Sequence, residues 1–240
     1  MSQDKVFIII PAFNEEPAIG GVIDAVRAEG YEDIIVVNDG SLDKTSEAAR
    51  AKKCIVLDHL INRGKGAATQ TGMDAAKLLN ADFVVTIDAD GQHNPKEIHK
   101  LLNPLFDETA DVSLGSRFLL NQDIPKSKVL ANKIGNFLTF LFYGASSSDT
   151  QSGFRGYNRQ ALQKIATTFD RYEFESEVIY QARVHQLRMK EVPITVTYSN
   201  YSKDKWRGLE HMNVAQNLTN GFSMLFRMTI KSITTWQENF

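Results

Sequence analysis

The sequence predicts a doubly wound α/β fold with a mostly parallel sheet. Three observations carry this: short runs of apolar β-formers recur along the first half, these runs are continuous rather than alternating, and segments with helical spacing separate them. A continuously apolar strand is one buried on both faces, the condition of a parallel sheet covered by helices on each side. With 42% apolar and 23% charged residues, a chain of 240 residues can fill such a core.

The elements follow in order. "KVFIII" reads as the first strand and "EEPAIGGVIDAVRAEG" as the helix after it, then "DIIVVN" and "CIVLD" as two more strands. The single cysteine, Cys54, lies in that third run, where it cannot form an internal disulfide and reads as a small core residue suited to a reducing compartment. "GKGAATQTGMDAAKLL" has helical spacing, and "DFVVTID" and "DVSLG" supply a fourth and fifth strand. After residue 117 the pattern changes. Residues 126–145 form an apolar-rich helix ended by Gly144, followed by the polar loop "SSSDTQSGFRGYN", the helical "RQALQKIA" and "ESEVIYQARVHQL", and a strand-like "KEVPITVTYSNY". No linker, repeat or low-complexity run interrupts residues 1–207, so one domain is expected, with 1–117 as its larger half, 118–207 as a smaller half on its edge, and 208–240 as an amphipathic helical tail.

Composition excludes several classes. A formal charge of −2 and a pI near 6.2 give no bulk attraction to nucleic acid, and no segment resembles a nucleic-acid module. The apolar run at the amino terminus is too short for a secretory signal, and no stretch reaches the roughly 18–20 apolar residues of a membrane span. A cytoplasmic protein, soluble or peripheral on a membrane, is expected.

In doubly wound sheets ligands bind beyond the carboxyl ends of the strands. Every polar cluster falls there: "PAFNEE" after the first strand, "NDGSLDKT" after the second, "DADGQHNP" after the fourth and "GSR" after the fifth. In "DADGQHNP", Asp88, Asp90 and Gln92 offer hard oxygens of the kind that suit Mg2+ or Mn2+. Helix capping by Asp88 and a turn at Asp90-Gly91 would account for the same residues without a metal. Asp39 ends a strand with a carboxylate able to accept from a nucleobase N–H, whereas capping explains Ser41 and Asp43. Pro11, Asn14 and Glu15 form a turn that could hold a ribose or base, and Glu16 complements a helix amino terminus. "NRGKGAATQTG" puts Lys65 between two glycines at a helix start, which favours phosphate but lacks the spacing of a P-loop or a dinucleotide fingerprint.

Taken together, "PAFNEE", "NDGSLDKT", "NRGKGAA", "DADGQHNP", "GSR" and "DTQSGFRGY" resemble glycosyltransferase family 2, and closely its polyprenyl-phosphate sugar synthase branch, over roughly residues 5–198. The resemblance implies a nucleotide-diphospho-sugar transferase fold of the A type and inverting transfer of a sugar from a UDP- or GDP-sugar to a polyprenyl phosphate. It puts Pro11, Ala12, Asn14, Glu15 and Asp39 around the nucleoside, and Asn38 and Lys65 are counted beside them as nucleotide-binding candidates. It puts Asp88, Asp90 and Gln92 around Mg2+ or Mn2+, and Arg117 at the acceptor phosphate. Asp149, Gln151, Ser152 and Arg155 would wall the sugar pocket, and Glu177 in "YEFESEV" would stand beside the donor sugar.

Three departures from the family are visible. Asn38 stands where many members have a first aspartate. An arginine that often precedes "GN" is replaced by Asn132-Lys133, with Lys126 and Lys128 upstream, and a lysine attracts phosphate only as a point charge. "YSKDKWRGLEH" replaces the "G-x-S-K" segment of mannose-transferring members, which leaves the sugar and the base open.

A phosphate acceptor is already an oxyanion near neutral pH, so no strong base is expected; an essential Glu177 or Asp149 would instead indicate a hydroxyl acceptor. Two segments, "LANKIGNFLTFLFYG" and "NLTNGFSMLFRMTIKSITTW", have the character of interfacial helices, with packing on the core or in a homodimer as the alternative. Transfer to a glycan hydroxyl, a non-catalytic nucleotide-sugar-binding role and nucleotidyl transfer are the rival readings. The last would need a "G-x-G-T-R-x" loop after the first strand, where "PAFNEE" stands.

Overall fold

The computed structural model describes residues 4–120, 122, 124, 126–143, 147–170 and 173–197, and the anticipated tail lies outside them. Seven strands form one sheet: β1 (Val6–Ala12), β2 (Ile34–Asn38), β3 (Ile55–Asp58), β4 (Phe83–Thr86), β5 (Val112–Ser116), β6 (Arg155–Asn158) and β7 (Met189–Pro193), in the order β3-β2-β1-β4-β6-β5-β7. Only β6 runs antiparallel to its neighbours, pairing Val85 with Gly156 on one side and Ser113 with Gly156 on the other. The mostly parallel doubly wound sheet read from the sequence is therefore present.

Both faces of the central strands β1, β2, β4 and β5 are covered, which is why these carry no polar alternation, whereas the edge strands β3 and β7 are partly exposed. Phe7, Ile9, Ile35 and Val37 point into a core shared with α3 (Lys65–Leu78), α6 (Arg159–Lys164) and α7 (Glu173–Val184). Their neighbours Ile8, Ile10, Ile34 and Val36 point into a second core under α1 (Glu16–Ala28), α2 (Thr45–Ala51) and α4 (Ile98–Phe106). Gly72 lets α3 lie directly on β1, since a Cβ there would clash with the Ile9 side chain.

Two elements differ from expectation. "FRGYN", read as loop, holds β6. Its Gly156 has no space for a Cβ between Ser113 and Leu105, and its central position lets a short, weakly apolar segment pair on both edges. The strand after α7 ends at Pro193; only the single bridge between His93 and Val196 continues it among the described residues.

The antiparallel direction of β6 matters for the site. It brings the segment before it, residues 147–154, to the edge where β1, β2, β4 and β5 end. The amino termini of α3 and α7 reach the same region, as the contact between Lys65 and Glu175 shows. The last helix to be placed is α5 (Lys126–Tyr143). It turns Asn132, Gly135 and Thr139 inward and leaves Leu130, Ile134, Phe137, Phe140 and Leu141 each more than half exposed.

Candidate active site

The loops after β1 and β2 hold each other. Asn14 takes a left-handed φ of 52°, which its side chain tolerates because its Oδ1 accepts from Leu42 N at 2.8 Å. Its own N–H donates to Ser41 Oγ, and the Glu15 N–H donates to Thr45 Oγ1 at 2.8 Å. Asp43 accepts from Thr45 N at the start of α2 and from Glu16 N at the start of α1, so it caps two helices at once, whereas Ser41 supports Asn14 rather than capping α2. Pro11 and Ala12 are the buried end of β1, and Glu15 is buried at the mouth of α1.

Asp39 sits at the centre of this corner. It is buried, contacts His59 Nδ1 at 2.7 Å, and accepts from the backbone N–H groups of Arg63 and Gly64 at 3.0 and 2.7 Å. His59 in turn reaches Thr71 Oγ1 on α3. Asp39 thereby fixes the loop that delivers Lys65. Asn38 bridges Asp58 and Ser41 through its amide, a structural use for the departure from aspartate.

The acidic centre lies at the crevice between β1 and β4, where the order of the sheet reverses. Lys65 Nζ stands 2.7 Å from Asp88 Oδ1 and 3.3 Å from Glu175 Oε1, while His93 Nε2 stands 3.4 Å from Asp88 Oδ2. Burial by itself would push the Lys65 ammonium toward its neutral form, but Asp88 and Glu175 outweigh it and hold its pKa above the ordinary lysine value. Burial would likewise raise Asp88, yet Lys65 and His93 pull its carboxyl well below the usual carboxylate range. Both groups are therefore ionised. Gly153 closes over the pair: a Cβ there would collide with Lys65 Nζ and lie 2.7 Å from Asp88 Oδ1.

The second aspartate is oriented locally. Asp90 accepts from the Gln92 backbone N–H at 3.0 Å and from the Gln92 side-chain amide. Gln92, expected beside Asp90 as an oxygen ligand, here offers its nitrogen to that carboxylate. Among the described residues Asp88 Oδ1 is buried and has no aligned hydrogen bond despite its close ammonium, an oxygen with capacity to spare for a hard cation. Among the described residues no three His, Cys, Asp or Glu side chains form a ready cage, so a divalent ion here would draw on Asp88, Asp90 and oxygens brought by a phosphate ligand.

On the acceptor side Arg117 grips Asp149 through two parallel bonds, Nε to Oδ2 at 2.6 Å and Nη2 to Oδ1 at 2.7 Å. The Asp149 loop is fastened to α5 by Asn132 and Asn136, whose amides donate to Ser148 O at 2.8 and 3.0 Å. Gln151 packs against Gly135 of α5, and Ser152 is buried with its hydroxyl lacking a hydrogen-bond partner among the described residues. Lys133 is exposed on α5; the Lys128 side chain lies outside what is described.

Two expected roles change. Arg155 is 1% exposed and gives its donors to the carbonyls of Ser152, Glu175 and Thr150, each at 2.8 Å. It shapes the pocket loop from beneath and cannot wall the pocket itself. Glu177 is fully buried, accepting from Thr168 N and Phe169 N at 2.9 Å, and so anchors the loop before α7 instead of standing beside a donor sugar. The carboxylate that reaches the acidic centre is Glu175. Two residues along a helix rotate the side chain by about 200°, so Glu175 and Glu177 point to opposite sides. His93 was also missed; the sign of it was its place in "DADGQHNP", three residues beyond the second aspartate and next to Gln92.

This sheet order, with an acidic loop at its reversal point, defines the A-type fold of glycosyltransferases that use nucleotide sugars. The fold is shared with the glucosyl-3-phosphoglycerate synthase of Mycobacterium tuberculosis, solved with Mn2+, UDP and phosphoglyceric acid: TM-score 0.67, 20% identity, 91% of this chain and 78% of that one. Residues 7–166 match the model of glycosyl transferase family 2, and the chain belongs to that family. It is 34% identical to a UDP-N-acetylglucosamine–dolichyl-phosphate N-acetylglucosaminyltransferase of Methanococcus voltae, over 95% of this chain and 96% of the relative. It is 30% identical to a polyprenol monophosphomannose synthase of Mycolicibacterium smegmatis, over 85% and 82%.

Proposed function

We propose that this glycosyltransferase moves a sugar, with inversion, from a UDP- or GDP-sugar to a polyprenyl phosphate at a membrane surface, using Mg2+ or Mn2+. The relatives named for dolichyl and polyprenol phosphates support the acceptor class. The observation that carries the reading is the engagement of the edge carboxylates. Asp149 is clamped by Arg117, Glu175 by Lys65 and Glu177 by backbone N–H groups. A hydroxyl acceptor needs a base to take its proton, whereas a phosphate monoester is already an oxyanion.

In this reading Asp88 and Asp90 hold the divalent ion and Gln92 keeps Asp90 in place. The ion, when bound, offsets charge on the departing diphosphate. An acceptor oxygen attacks the anomeric carbon opposite the diphosphate, one C–O bond forms as the other breaks, and the nucleoside diphosphate leaves with the electron pair. Arg117, held by Asp149, is the cation for the acceptor phosphate and lowers the repulsion between two phosphates brought together. The outward apolar row of α5 supports attachment to lipid, because the same helix is bound to the acceptor loop through its polar face.

The test is transfer of label from UDP- and GDP-sugars to undecaprenyl or dolichyl phosphate in detergent, with Mn2+ or Mg2+. Label entering the organic phase, and lost with EDTA or in Asp90→Ala, is the expected result. Donor binding without lipid labelling would replace the acceptor by a hydroxyl compound. Failure to bind any sugar nucleotide would overturn the reading.

A further inference from the structure

The acidic centre already contains a cation of its own. Lys65 Nζ lies between Asp88 and Glu175, at 2.7 and 3.3 Å, roofed by the Gly153 backbone and carried on the loop that Asp39 fixes. Glu175 and His93 are buried, whereas Asp88 and Lys65 are partly open to the cleft. Asp90, the other acid of the pair, is occupied by the backbone and side-chain amides of Gln92. An ion arriving alone must share Asp88 with the Lys65 ammonium, and meets an Asp90 already hydrogen-bonded.

We propose that Lys65 makes divalent-ion binding conditional on the donor. The ammonium, kept in place by Glu175, lowers the affinity of the two aspartates for a bare ion, so that the ion is retained only when a nucleotide diphosphate supplies further oxygens. Repulsion between the ammonium and a dication a few ångströms away falls as the diphosphate's charge enters the same cleft. By linkage, the ion then tightens the nucleotide by the same factor as the nucleotide tightens the ion. Lys65 is thus a positioning and gating residue for the ion site, which rests on the donor reading given above.

The test is Mn2+ binding followed by the electron paramagnetic resonance of free Mn2+, with the ion alone and with UDP or GDP present. In the unaltered protein Mn2+ alone should bind weakly, and one of the nucleotides should tighten it by about tenfold or more. In Lys65→Met, Mn2+ alone should bind at least about tenfold tighter than in the unaltered protein, and the gain from nucleotide should shrink correspondingly. Lys65→Arg keeps the charge and should keep the nucleotide dependence; circular dichroism checks that both variants fold. Equal binding of bare Mn2+ by the unaltered protein and Lys65→Met, or tight bare binding by Lys65→Arg, overturns the gating role while leaving the donor reading intact. If neither UDP nor GDP tightens Mn2+ in the unaltered protein, the donor reading fails and the gating role with it.

Discussion

At the residue scale, Glu175 and Glu177 separate chemistry from support. Glu177 accepts from two backbone N–H groups and Thr168 Oγ1 in a buried setting. Glu177→Ala should lower stability by at least about 2 kcal/mol in a denaturant titration, since buried donors lose their acceptor. The folded fraction should keep its KM for donor; a rise in KM with no loss of stability would return Glu177 to the donor pocket. The sequence displayed three glutamates in "YEFESEV" but not which one faces the acidic centre, because that depends on the rotation of α7 against α3. Asp88, Asp90 and Lys65 were legible because each lies at the end of a strongly apolar strand or the start of a helix. Arg155 was legible as important and not as buried: "GFRGY" carries no local sign that its arginine turns under the loop toward three carbonyls.

At the element scale, one carboxylate ties three strands together. Asp111, just before β5, accepts from Asn158 Nδ2 at the end of β6 and from Arg188 N, Nε and Nη2 just before β7. Hydrogen bonds from Arg188, helped by its charge and by Asn158 against the opposing effect of burial, pull the Asp111 carboxyl down to about 2. A carboxyl depressed in the folded state stabilises fully above its unfolded pKa of about 3.9 and loses that contribution as pH falls through about 2. Asp111→Asn should therefore melt below the unaltered protein near neutral pH, with the two Tm values converging between about pH 4 and pH 2. A gap independent of pH would mean that the ionised form of Asp111 is not what stabilises this junction. Five of the six parallel strands, β1 to β5, were readable from their continuous apolar runs. Strand β6 was not, because its place depends on partners 71 and 45 residues earlier, such as Val85 with Gly156 and Val112 with Tyr157.

At the scale of the whole molecule, α5 has its polarity reversed. Asn132, Asn136 and Thr139 make its inward hydrogen bonds, and Ile134, Phe137 and Phe140 face outward. If that surface meets lipid, Phe137→Glu with Phe140→Glu should weaken co-sedimentation with phosphatidylglycerol vesicles by at least about tenfold, given the apolar area of two aromatic side chains. Unchanged sedimentation would remove α5 from the membrane-facing surface. The apolar richness of this helix was plain in the sequence. Its orientation was not, because the loop that claims its polar face lies beyond it in the chain. Placement of β6 has a consequence of another kind, for biosynthesis. Strands β4 and β5 lie on either side of a gap that only residues 155–158 fill. A nascent chain that has released both keeps the facing edges of β4 and β5 unpaired, and an Arg117 without Asp149, until residues 149–158 have been made. The acceptor side of the site is consequently assembled late, in the same event that joins β5 to the rest of the sheet.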